Sequence, residues 1–78
     1  MKIGIAGGGA FGTALGVALA LDGHDISLWA RNADVVAQMQ NTRTNARLPG
    51  VMLPDRLHPT GDLQALFSCQ IILLAIPA

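Results

Sequence analysis

The residues with the clearest capacity for chemistry are glycines, spaced Gly7-x-Gly9-x-x-Gly12 within "GIAGGGAFG". Glycine has no functional group, so the chemistry on offer is that of the backbone. Amide N–H groups left bare can face an anion, provided the chain turns there from a strand into a helix. The other reactive side chains are sparse. His24, His58 and Cys69 have no metal-ligand spacing among them, which argues against zinc. Ser68 and Cys69 have no partner arrangement for a nucleophile. Both histidines read as surface or loop residues, and Cys69 as a small buried hydrophobe in an apolar run.

The glycines can hold an anion only if the flanking elements place them. Lys2–Ala6 reads as a short buried strand, apolar on both faces as a central parallel strand is. Residues 7–9, including Gly8, form the turn. From Ala10 to about Leu21, Phe11, Ala14, Leu15, Ala18 and Leu19 recur at helical spacing, the stripe of an amphipathic helix, and Asp22-Gly23 supplies the stop. Asp25–Trp29 alternates Ile26 and Leu28 against Ser27 and Trp29, a second strand. Trp29 either packs under a helix or borders a ligand, packing being the default. Asn32 caps a helix from Ala33 to about Gln40, with Asp34 in its first turn. Met39 and Met52 read as packing residues.

Residues 41–56 carry two prolines and a glycine, so they form an ordered connection rather than one regular element. A third strand follows near Leu57–Thr60. A short helix over 62–67 is capped by Asp62 or Thr60. Residues 70–76, "QIILLAI", read as a fully buried fourth strand that Pro77 stops. Helices alternating with strands argue for a parallel sheet with right-handed crossovers.

In that setting each glycine has a task. Gly7 permits the tight turn, Gly9 lets backbone amides approach a pyrophosphate, and Gly12 lets the helix pack close. The helix N-terminus stabilises an anion without any basic side chain. A turn rich in glycine for packing alone is the bland alternative. The strand before, the helix after and the second strand at the expected distance favour dinucleotide binding instead.

An export signal is the other reading of this N-terminus, with Lys2 as leader and Ala18-Leu19-Ala20 as a cleavage site before Leu21. Five glycines in the first twelve residues oppose it, since each disfavours a signal helix by roughly 1 kcal/mol. No apolar run approaches the ~20 residues that span a bilayer. The expectation is a cytoplasmic chain without a membrane span. Charged residues are 13% of the 78 and the formal net charge is zero, which offers no general basic field for nucleic acid. A hydrophobic content of 51% sets the chain apart from disordered sequences. One cysteine cannot form an internal disulfide.

Enzymes that use NAD usually place Asp or Glu at the end of the second strand, about 20 residues past the glycines, to accept from a ribose 2′-hydroxyl. Here that end reads "LWARN". Asp25 stands at the wrong end of the strand and Asp34 is already inside the next helix. Arg31 can instead fork onto a 2′-phosphate, so the expected cofactor is NADP in preference to NAD.

"GIAGGGAFGTALGVALA", "LWAR", "LPGVMLPDRLHPTGDLQAL" and "IILLAIPA" together resemble the N-terminal half of bacterial NAD(P)-dependent glycerol-3-phosphate dehydrogenase. The most specific part is the series Leu48-Pro49-Gly50, Leu53-Pro54, Leu57, Thr60, Asp62-Leu63, which generic Rossmann domains do not share. The resemblance implies that Gly7, Gly9, Phe11 and Gly12 line the pyrophosphate, that Arg31 takes the adenosine end, and that Ala75-Ile76-Pro77 borders the cofactor. With Gly8, Ala10 and Asn32 these complete the candidate cofactor-binding set. Two departures stand out. A Ser or Thr followed by Trp is usual where this chain has Ala10 and Phe11. An aromatic is usual before Leu48, where this chain has Arg47 and a loop one residue shorter.

The resemblance implies hydride transfer between a nicotinamide cofactor and the carbonyl carbon of dihydroxyacetone phosphate, giving sn-glycerol 3-phosphate, a phospholipid precursor. It also implies a lysine general acid and phosphate-binding residues from a helical substrate domain absent from this chain. The only lysine, Lys2, precedes the first strand, so no catalytic residue is assigned. The expected fold class is α/β, a doubly wound, Rossmann-like parallel sheet of order 3-2-1-4, with residues 1–78 a partial dinucleotide-binding domain truncated after its fourth strand. Such a chain is inactive alone, and its open sheet edge favours self-association. The alternatives are a stand-alone nucleotide-binding module and the start of a ketopantoate or 3-hydroxyacyl-CoA type dehydrogenase, which the Leu-Pro-Gly series argues against.

Overall fold

The computed structural model describes residues 1–76. Its centre is β1 (Lys2–Ala6), whose side chains alternate between two differently covered faces. β2 (Asp25–Trp29) pairs with it on one side and β4 (Ile71–Leu74) on the other, while β3 (Leu57–Thr60) pairs with β2. All pairings are parallel and the order is β3-β2-β1-β4. Pro59 lies within β3, on an outer strand, where its missing N–H costs no ladder bond on the free side.

α1 (Ala10–Leu21) and α2 (Ala33–Thr42) cover the face that carries Ile5, Ile26, Leu28 and Leu57, all fully buried. Val36 and Met39 are the α2 residues buried in this core, with Val35 packed partly buried against it. The opposite face receives a six-residue 3₁₀ segment, Leu63–Ser68, where Leu66 and Cys69 lie against Gly4. Asp62 Oδ1 accepts from the Gln64 amide at its start, and Thr60 Oγ1 accepts from the Asp62 amide. Both expected caps thus act in series.

Three expectations need correction. Of the expected stripe, Leu15 and Leu19 pack partly buried against the core, but Phe11, Ala14 and Ala18 point outward, with Phe11 71% exposed, and the fully buried residues of α1 are Gly12, Thr13, Gly16 and Ala20. Small residues win that face because the helix sits so close to the sheet. A Cβ on Gly16 would lie 3.1 Å from Leu57 and 3.4 Å from Ile5. Nearly every residue of α1 is apolar, so spacing alone could not choose among its faces.

The fourth strand is not buried. It spans Ile71–Leu74 instead of 70–76, and Leu74 is 75% exposed. Among the described residues it pairs only with β1, and the 3₁₀ segment packs on β1 and β2. Pro77, expected to end this strand, lies outside the described residues. Met52 is exposed as well, unlike the buried Met39.

The connection over residues 43–56 is ordered by specific bonds. Arg43, in the left-handed region at φ 57°, ends α2. Its Nη2 donates to the Pro54 and Leu57 carbonyls, each at 2.6 Å. Among the described residues, no helix is long and apolar enough to cross a membrane.

Candidate functional site

The four parallel strands finish level. Ala6 lies beside both Trp29 and Leu74, and Trp29 beside Thr60. The chain therefore leaves the sheet at one edge, at Gly7, Ala30, Gly61 and Ala75. The order reverses between β1 and β4, because the connections from β1 to β3 run to one side and β4 returns to the other. Ligands of open α/β sheets bind in the crevice at such a reversal, beyond the strand ends. A cleft of about 890 Å³ opens there.

Its floor is the glycine turn. Gly7 adopts φ +143°, and a Cβ there would stand 2.5 Å from the Ala75 carbonyl oxygen. A Cβ on Gly8 would stand 2.6 Å from that of Ala30. One on Gly12 would collide with the Gly7 carbonyl oxygen. These three are small because the protein itself fills the space.

Gly9 is different. Its φ of −77° is open to any residue, and a Cβ would meet nothing nearer than Arg47 Nη1, at 3.9 Å. The space before Gly9 belongs to the cleft.

Gly9 is also the N-cap of α1, and no side chain caps the helix. The first bond of the helix runs from the Thr13 N–H to the Gly9 carbonyl at 3.0 Å. The amides of Ala10, Phe11 and Gly12 thus have no acceptor within the helix; Ala10 and Phe11 line the cleft, and Gly12 follows them in the same first turn. An anion there would satisfy them and meet the positive end of the helix dipole.

Of the residues singled out in the sequence, Gly7, Gly8, Gly9, Ala10, Phe11, Arg31, Asn32 and Ala75 line this one cleft. Gly12 lies behind the turn, packed on it. Pro77 lies outside the described residues. Asn32 has a second task, since its Oδ1 accepts from the Asp34 and Val35 amides at 2.8 and 3.3 Å. That occupies its acceptor and leaves its amide nitrogen for a ligand.

Trp29 departs from the packing default. It is half-buried on the cleft wall, with Nε1 donating to the Gly61 carbonyl at 3.2 Å. Val35, Leu74 and Ile76 complete the apolar part.

The residue that sequence reasoning missed is Arg47. It lines the cleft although 35 positions separate it from Gly12. Its one trace in the sequence is the replacement of an expected aromatic before Leu48.

Among the described residues, Arg31 and Arg47 are the only charged ones lining the cleft. Asp25 is at the far edge, in an ion pair with Arg56 at 3.1 Å. Lys2 is there too, opposite Asp25, about 13 Å from the strand end at the usual rise per residue. Among the described residues the cleft wall carries no His, Cys, Asp, Glu or Lys. Among the described residues no cluster of three or more His, Cys, Asp or Glu could hold a metal ion. The arrangement can bind and orient an anionic ligand with an apolar portion.

Comparison with known proteins gives this geometry a context. The family described as NAD-dependent glycerol-3-phosphate dehydrogenase N-terminus matches residues 2–78. A glycerol-3-phosphate dehydrogenase (NAD(P)+) of Roseobacter denitrificans is 51% identical over 81 residues, covering 100% of this chain and 24% of the relative. One of Azorhizobium caulinodans is 44% identical over 78 residues, covering 99% and 24%. The crystal structure of glycerol-3-phosphate dehydrogenase from Coxiella burnetii superposes with a TM-score of 0.87 at 36% identity, covering 94% of this chain and 23% of that one. The chain spans about a quarter of the length of these relatives.

Proposed function

The chain belongs to the family described as NAD-dependent glycerol-3-phosphate dehydrogenase N-terminus, and on that premise we propose that its cleft binds a nicotinamide dinucleotide, NADP in preference to NAD. The observation that carries this reading is the glycine turn: bare amides at the start of α1, with the space before Gly9 left open. The diphosphate bridge fits against Ala10, Phe11 and Gly12. The adenosine end reaches Arg31, whose guanidinium can grip a 2′-phosphate and stack on the base. Leu74, Ala75 and Ile76 would then border the nicotinamide end. Residues 1–78 form the cofactor domain on this reading, and a further, helical domain supplies the substrate site.

When bound, the dinucleotide supplies hydride for reducing a carbonyl, which in this family's reaction is that of dihydroxyacetone phosphate, yielding sn-glycerol 3-phosphate. On this reading the whole protein serves phospholipid precursor synthesis in the cytoplasm. The described residues position the cofactor and exclude water from its apolar end. They include no proton donor at the cleft, so the general acid belongs to the substrate domain and the 78-residue chain alone is inactive.

Isothermal titration with NADPH, NADH and adenosine tests the assignment. Saturable binding of both dinucleotides, with NADPH tighter and adenosine far weaker, is expected. Binding of adenosine as tight as either dinucleotide would contradict a site built around phosphates.

A further inference from the structure

The chain has four arginines, and the structure divides them evenly. Arg43 is bound to the Pro54 and Leu57 carbonyls, and Arg56 to Asp25. The guanidinium groups of Arg31 and Arg47 have no hydrogen-bond or ion-pair partner among the described residues, and these are the two that line the cleft. Arg31 follows the end of β2. Arg47 comes from the connection beyond α2 and stands above the glycine turn, its Nη1 3.9 Å from the Cβ position of Gly9.

The position of Arg47 is built. Asn45 is 2% exposed, and its Nδ2 donates to the Gly8 carbonyl and to Thr13 Oγ1, both at 2.9 Å. Its Oδ1 accepts from the Arg47 amide at 3.0 Å, and its carbonyl accepts from the Leu48 amide at 2.9 Å. One buried side chain therefore ties the connection to the glycine turn and to α1, and fixes the backbone of Arg47 beside them.

We propose that Arg47 is a second cationic clamp, closing on the diphosphate bridge of the dinucleotide from the side opposite the α1 amides. This rests on the reading of the cleft given above and adds a residue to it. The amides of Ala10–Gly12 meet the diphosphate from below and the guanidinium from above, a two-sided grip in which a forked donor set matches phosphate oxygens. An uncharged aromatic, the residue this family usually has before Leu48, offers no such pairing. The two arginines then divide the ligand: Arg31 reads the 2′-phosphate, and Arg47 holds the diphosphate common to NADP and NAD. Asn45 is its positioning residue.

Calorimetric titration of the full chain and its Arg47→Ala and Arg47→Lys variants with NADPH and NADH tests this. Arg47→Ala is expected to weaken both ligands by a similar factor, about tenfold or more, and Arg47→Lys to recover part of it. The melting temperature without ligand should stay unchanged, because Arg47 is exposed and its guanidinium makes no hydrogen bond or ion pair among the described residues. The loss should shrink as salt rises. Unchanged affinity for both ligands overturns the proposal, as does a loss confined to NADPH, which would assign Arg47 to the 2′-phosphate. A parent chain that binds neither dinucleotide overturns the parent reading instead, so the two failures are distinct.

Discussion

Asn45 Nδ2 donates to Thr13 Oγ1 at 2.9 Å, joining two buried side chains 32 positions apart. The same nitrogen reaches the Gly8 carbonyl, so one amide bridges the glycine turn, the first helix and the loop after the second. The shape of the cleft depends on this bridge.

Removing it should loosen both fold and site. Asn45→Ala leaves the Gly8 carbonyl and the Arg47 amide without partners, a loss of about 1–3 kcal/mol. Thr13→Val removes only one acceptor and costs about 1 kcal/mol. Urea unfolding of the two variants gives the ranking. A neutral Asn45→Ala would mean that water or a shifted loop replaces the bridge.

Gly9 and Gly12 should respond in opposite ways to the same added methyl group. Gly12→Ala drives a Cβ into the Gly7 carbonyl, and overpacking of that kind costs about 1–3 kcal/mol. Gly9→Ala meets only open cleft, with a stability loss of at most about 1 kcal/mol as a helix cap, yet it intrudes on the ligand. Thermal melts and NADPH titration of both variants should show one unstable protein and one stable, weak binder. The reverse pattern would remove the reason for calling Gly9 a ligand glycine.

Arg31→Ala should separate the two cofactors. Loss of a charge-assisted contact to a 2′-phosphate lowers NADPH affinity by about 10- to 100-fold, with NADH little changed. Fluorescence titration with both reduced cofactors is sufficient. Equal losses would place Arg31 outside the 2′-phosphate site.

β4 carries an apolar edge with Ile71, Ile72 and Leu74 exposed, paired on one side only among the described residues. Unpaired strand edges recruit other chains. The 78-residue chain should elute from size exclusion at a volume that falls as concentration rises, and Ile72→Lys should suppress the effect. A strictly monomeric parent at high concentration would contradict it.

The sequence makes local features legible. β1, the turn and α1 follow from four apolar or small residues after Lys2, three glycines and a helical run. Asn32 reads correctly as a cap because its short side chain can act only on the amides just after it. The parallel sheet follows from alternating elements, and the strand order from the family resemblance. The buried face of α1 is not legible, since a helix of almost uniform polarity has no preferred stripe. The exposure of β4 is not legible either, because an apolar run reads the same whether or not another layer covers it. Arg47 reaches the cleft, and Asn45 the glycine turn behind it, by tertiary packing across more than 30 positions, and no local pattern encodes that. Even so, the missing aromatic before Leu48 marked the place where the sequence departs from the expected family pattern.

Amide shifts in a ¹H–¹⁵N spectrum followed during NADPH titration test the central claim most directly. The account predicts that Gly9, Ala10, Phe11 and Gly12 move together and saturate with the binding curve, while Asp25 and His58 stay still. Saturable binding that leaves those four amides unmoved would contradict it.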